Sequence, residues 1–186
     1  MNTRLLLLAQ IASFAGAIAL LGCSSSSDGT PASATDAVLT PSDVQTPPTG
    51  SDADISAWLA KGDYKTWKCE PAPHDARRPS PHGKNRICSN DVLSAHGAGE
   101  FPVGAAGVKE LYDSTGTKVV GHAMYRKLAV GGGEAWYWFE KTDADGVVAN
   151  GAGTAGTPKT VCVGCHEGAG SDATHSGHDQ VYTQVK

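Results

Sequence analysis

Val103 to Leu128 reads VGAAGVKELYDSTGTKVVGHAMYRKL, and its two alternating runs decide the fold class. In Val103–Tyr112, Ala105, Gly107, Lys109 and Leu111 fall on one face, with Val108, Glu110 and Tyr112 on the other, as strand geometry requires. Thr117–Leu128 places Val120, His122 and Met124 on one side and Val119, Gly121, Ala123 and Tyr125 on the other. After Gly131-Gly132-Gly133 comes Ala135–Phe139, AWYWF, bulky on both sides, which predicts a strand covered on both faces. Connections this short leave no room for crossover helices, so the expectation is an antiparallel sheet. Lys109 is then the lone charge on a face of small and apolar side chains.

Upstream the period changes. Ile55, Trp58 and Leu59 recur at helical spacing behind a cap at Ser51 or Asp52, and Gly62 closes that helix. A second short helix is predicted over Asn90–Ala98, from Val92, Leu93 and His96, while Gly146–Gly156 reads as a long loop. The class is therefore mainly β (α+β), an antiparallel sheet with short helices. The 186 residues suffice for one domain of ordinary size and a tail. Fifteen Lys+Arg against 19 Asp+Glu give a net charge of -4 with no long basic block, so no nucleic-acid partner is expected.

The first 22 residues have the architecture of an export signal: Arg4, then an apolar run from Leu5. The run ends at Leu20-Leu21-Gly22-Cys23, which resembles the lipobox of bacterial lipoproteins. On that resemblance Cys23 is lipidated and anchors the chain to a membrane; an ordinary signal with a chance cysteine, or an uncleaved anchor, is the alternative. Ser24 resembles an outer-membrane sorting residue, placing the chain at the periplasmic face, an oxidising compartment. Residues 23–53 are then the lipidated N-terminus and a Ser/Thr/Pro-rich flexible tether, too poor in apolar surface to pack. The folded domain is expected over 54–186.

Five cysteines divide the chemistry. Cys162-Val163-Gly164-Cys165-His166 is C-x-x-C-H, the attachment motif for c-type haem. Cys162 and Cys165 are spaced to form thioethers to two vinyl groups of one covalently attached porphyrin, and His166 is placed to ligate the iron. A redox C-x-x-C with an incidental histidine, or a zinc site, are the competing readings, but neither has its expected sequence context. Cys69 and Cys88 remain. A disulfide between them would pin the Pro- and basic-rich excursion Glu70–Ile87, worth about 3 kcal/mol; two buried thiols or a redox pair are the alternatives. Met124 or His122 are the internal candidates for a sixth iron ligand. His74 and His82, in the Pro-rich loop, read as surface residues, and Arg126 and Lys127 as possible propionate partners.

Several of these stretches together resemble the cytochrome P460 family: Asn90-Asp91, Phe101-Pro102-Val103-Gly104, Val108-Lys109-Glu110-Leu111-Tyr112, Trp136-Tyr137-Trp138-Phe139, and the late C-x-x-C-H followed by Asp179, Val181 and Tyr182. The resemblance covers roughly Arg86 to the end. It implies an antiparallel β fold holding one c-haem, with an open or guarded distal side. Lys109 matches the lysine that, in hydroxylamine-oxidising members, is joined to the porphyrin. The distal carboxylate of those members falls near Gly131 here, and Glu134 is the nearest acid, a proton-acceptor candidate. Three functions are carried: a cytochrome binding a small diatomic ligand such as nitric oxide or sensing redox state, a hydroxylamine-oxidising enzyme, and a simple electron carrier. The implied partners are a small gaseous or nitrogenous ligand and a redox protein; a homodimer is also entertained.

Overall fold

Six strands pair in chain order into one antiparallel sheet: β1 (Lys68–Cys69), β2 (Asn85–Ser89), β3 (Ala106–Tyr112), β4 (Val119–Lys127), β5 (Trp136–Thr142) and β6 (Gly146–Ala152). The structure is a computed structural model and describes residues 44–186. The expected export segment, Cys23 and most of the tether lie outside the described residues. Among the described residues no helix is long and apolar enough to cross a membrane.

Helix α1 (Asp52–Lys61) starts where Ser51 accepts from the Asp54 amide and stops at Gly62 in the left-handed region (φ 74°), as its sequence anticipates. Its buried Ile55, Trp58 and Leu59 join Tyr64, Trp67, Cys88, Val108, Met124, Tyr137 and Phe139 in a core on one face of the sheet. The other face packs Tyr125, Trp136 and Trp138 against Leu93, Phe101 and Val181, with Cys162 and Val163 at its margin. The AWYWF strand is thus buried on both sides, each large side chain contributing roughly 1.5–3 kcal/mol.

Three expectations change. The helix read over Asn90–Ala98 is a shorter α2, Asp91–Ala95: Asn90 caps its start, its Oδ1 accepting from the Leu93 and Ala106 amides at 2.9 and 3.0 Å, and the backbone turns extended at His96. The loop read over Gly146–Gly156 contains β6, since pairing with β5 supplies hydrogen bonds that its glycine-rich composition does not advertise. The boundary at Asp54 moves to at least Val44. Residues ahead of α1 are bonded to the sheet body, Trp67 Nε1 donating to the Val44 carbonyl at 3.1 Å and Arg126 to that of Pro47 at 2.7 Å.

Cys69 and Cys88 face each other across β1 and β2 and form a disulfide, S–S 2.03 Å. The loop between them is rooted on the buried Glu70 carboxylate. Oε2 accepts from His74 Nε2 (2.9 Å) and the Ile87 amide (2.9 Å), and Oε1 from Arg77 Nη2 (2.6 Å). Burial pushes this carboxyl up, but those hydrogen bonds outweigh it, so its pKa is held below the ordinary value. A carboxylate depressed on folding stabilises above its unfolded pKa, roughly 4.3, and loses that contribution as pH falls through the folded value. Glu70→Gln should therefore cost about 2 kcal/mol at pH 7, and the gap to the parent protein should close in urea titrations below about pH 4. A gap unchanged at acid pH would remove Glu70 as the anchor.

Candidate functional site

Register places the site. Ile87, Lys109, Ala123 and Glu140 are successive lateral neighbours across β2–β5, and Gly107, Tyr125 and Trp138 form the next row on the same face. A Cβ at Gly107 would collide with the Tyr125 ring and hydroxyl, so only glycine lets that ring lie across β3. Above these rows runs a π-wound turn, Pro158–Val163, continued by the single α turn α3, Gly164–His166. π turns are rare and collect at functional sites. A cleft of about 280 Å³ lies between, and Cys162, Cys165, His166, Lys109, Glu140 and His82 all line it.

His166 is caged by aromatic rings: Trp138 at 4.6 Å, Tyr182 at 5.5 Å and Tyr125 at 6.2 Å between centroids. Its Nδ1 is 2.6 Å from the Gln180 carbonyl, which can only accept, so the proton sits on Nδ1 and Nε2 carries the lone pair. Burial, assisted by the charge on Lys109, brings its pKa down to about 4 against the opposing pull of that carbonyl. A neutral imidazole with one nitrogen fixed and the other unbonded to any described residue is the form that ligates metals. Asp179 (φ 42°) and Gln180 (φ 70°) hold left-handed backbone that non-glycine residues rarely adopt, and this turn aims the carbonyl at His166. The turn is fixed by Lys127, wholly buried, whose Nζ lies 3.0 Å from Asp179 Oδ2 and 2.6 Å from the Gly131 carbonyl.

Cys162 and Cys165, three residues apart, are not disulfide-bonded. Burial and the Glu140 charge push the Cys162 thiol up to about 11, keeping it protonated. Tyr182 Oη donates to the Cys165 carbonyl at 2.8 Å, tying the C-terminal segment to the motif. Burial draws the pKa of Lys109 down and that of Glu140 up, each charge partly opposing the other's shift. Arg77 and Arg78, both exposed, stand at the mouth. Among the described residues no three His, Cys, Asp or Glu side chains converge on a metal ion. The set gathered here is instead two imidazoles, His82 and His166, and two thiols beside an aromatic wall.

The structure brings Cys162, Cys165, His166 and Lys109 together at a cleft whose lining also includes Met124, and leaves the other candidates elsewhere. The Met124 side chain is 1% exposed and packs in the α1 core. His122 shares that side of β4 and lies 3.1 Å from Tyr64 Oη. Both are on the face opposite Tyr125 and His166, because the side-chain period of a strand is two. Glu134 is exposed and accepts from the Gly132 amide at 3.2 Å, outside the cleft. Lys127 is consumed by Asp179, and Arg126 by Pro47. Two lining residues were missed. Glu140 follows Trp138 by two and was legible from alternation. His82, read as a surface residue, reaches the cleft only because its loop folds back over the sheet. Comparison with protein-family models, curated proteins and solved structures finds no match.

Proposed function

We propose that this chain is an exported, lipid-anchored mono-haem cytochrome c with a P460-like domain, whose cleft admits a small diatomic ligand such as nitric oxide. One observation carries the reading: two unpaired thiols and a neutral imidazole, its Nδ1 already committed to Gln180, line a single cleft. A bound haem would supply an iron that changes oxidation state by one electron and could bind a small ligand. The Cys162 and Cys165 thiols would each add across one vinyl group, forming a C–S bond and passing hydrogen to the neighbouring carbon, with no oxidant needed. His166 would offer Nε2, while Trp138, Tyr125 and Tyr182 fix its ring and keep water away. Arg77 and Arg78 suit the porphyrin's carboxylates at the mouth. The antiparallel sheet, the late motif and Lys109 beside it support the family reading, and the Cys69–Cys88 disulfide supports export to an oxidising compartment. Lipidation at Cys23, the outer membrane and a redox partner protein complete the proposal.

Glu140 favours hydroxylamine oxidation as a second reading. It is a carboxylate of raised pKa, laterally aligned with Lys109 across Ala123, and so a proton acceptor that Glu134 is not. Intact-mass and peptide spectrometry of protein matured in a haem-attaching periplasm should find one haem on the 162–165 peptide, and the ferrous protein should bind nitric oxide reversibly. A Lys109–porphyrin peptide with hydroxylamine turnover would select the second reading. Matured protein with no haem mass would sink both.

A further inference from the structure

The loop closed by Cys69–Cys88 carries a second imidazole into the cleft. Its root is fastened by the disulfide, by the Glu70 carboxylate, and by the paired backbone hydrogen bonds of His74 and Asn85 (3.0 and 2.9 Å). Its tip is not. Over Arg78–His82 the bonds are local, the Ser80 amide to the Arg77 carbonyl at 2.9 Å and the His82 amide to Ser80 Oγ at 3.3 Å. His82 therefore lines the cleft from a segment anchored at one end and loosely held at the other.

Its ring is unusual for a side chain so far withdrawn from water. The His82 side chain is 17% exposed, yet the ring makes no hydrogen bond with any described residue. Nδ1 stands 3.5 Å from Glu140 Oε1, too far for a strong bond. Its ring nitrogens are thus left to solvent or to a group in the cleft. The other nitrogens lining the cleft serve less well. Guanidinium nitrogens of Arg77 and Arg78 stay protonated and cannot ligate, and Lys109 faces the Glu140 carboxylate. Burial, with the nearby Lys109 charge, brings the His82 pKa down to about 4, so its lone pair is available at neutral pH. The two cleft imidazoles are not equivalent. His166 is locked at Nδ1 and against Trp138, whereas His82 has neither restraint.

We propose that His82 is a displaceable axial partner, ligating the iron on the side opposite His166 until a small exogenous ligand takes its place. This rests on the haem reading above. It makes the cleft a guarded site rather than an open one, with the loop tip moving aside and no bond broken except the imidazole's own.

The test compares the matured full chain with His82→Ala and His82→Gln by optical and electron paramagnetic resonance spectroscopy, with carbon monoxide as the probe ligand. The parent haem should be low-spin and six-coordinate in both oxidation states. Both variants should turn high-spin, added imidazole should restore the low-spin spectrum of His82→Ala, and carbon monoxide should bind the ferrous variants at least ~10-fold more tightly, since no internal ligand competes. A parent haem that is already high-spin would overturn the proposal, as would variants that carry haem with an unchanged spectrum and unchanged affinity. Either result leaves the haem reading standing. Parent protein without haem mass would instead remove that reading, and this proposal with it.

Discussion

On the proposed haem reading, alanine at both Cys162 and Cys165 is expected to abolish covalent attachment completely: no porphyrin mass on the chain and no haem-stained band after denaturation. The expectation follows from what lines the cleft. Among the described residues the other two cysteines are already spent on the Cys69–Cys88 disulfide, so no second thiol pair is available to replace the first. His166→Ala should behave differently. The two thioethers would survive and the mass with them, but the iron would lose the imidazole that Gln180 orients, and its spectrum would change in both oxidation states. Attachment and ligation would thus be separable within five residues of sequence. Porphyrin mass retained by the double alanine variant would refer the attachment to another side chain, Lys109 first, and defeat the assignment.

Lys127→Met should be the most damaging single change away from the motif. Lys127 is the largest charged side chain with no solvent exposure. Its Nζ meets Asp179 Oδ2 at 3.0 Å, Glu100 Oε1 at 3.1 Å and the Gly131 carbonyl at 2.6 Å, over the Trp136 ring at 5.0 Å. Removing one partner of such a largely buried pair costs about 3–5 kcal/mol, because the Asp179 carboxylate left behind is only 12% exposed and loses its counter-charge. The melting temperature should fall by roughly 10–20 °C. Asp179 also accepts from the Phe101 amide at 2.7 Å and precedes the Gln180 carbonyl, so the loss should reach His166. In holoprotein the variant should show an altered iron spectrum as well as lower stability. A double-mutant cycle with Asp179→Asn checks the pairing, since the two losses should fall well short of additive. A change below about 1 kcal/mol would refute the network.

Much of the fold was readable because strand alternation is a local signal. The faces assigned to Val108, Met124, Tyr125 and the AWYWF strand agree with the sheet, and Ser51 and Gly62 bound α1 as their chemistry demands. β6 and β2 were not readable. β6 is rich in glycine and β2 sits inside a Pro-rich, basic stretch; both are strands because a neighbour offers them a ladder, and that is a property of the sheet rather than of the segment. Alternation also set Met124 and His122 apart from Ala123 and Tyr125, but it could not say which side would receive the C-x-x-C-H turn. With that turn over Tyr125 and Trp138, His166 lies on the sheet face opposite the Met124 and His122 side chains.

By itself the sequence determined the C-x-x-C-H spacing of Cys162, Cys165 and His166 and the antiparallel class, since both are written in residues a few positions apart. Only the tertiary structure decided which other side chains share the cleft. Lys109 and Glu140 are 31 residues apart in number yet lateral neighbours through Ala123, and His82 arrives from a loop folded back from the far end of the sheet. Such meetings depend on register and on where a loop is rooted, here on Glu70 and a disulfide, and no local pattern encodes a contact whose partners lie on separate strands.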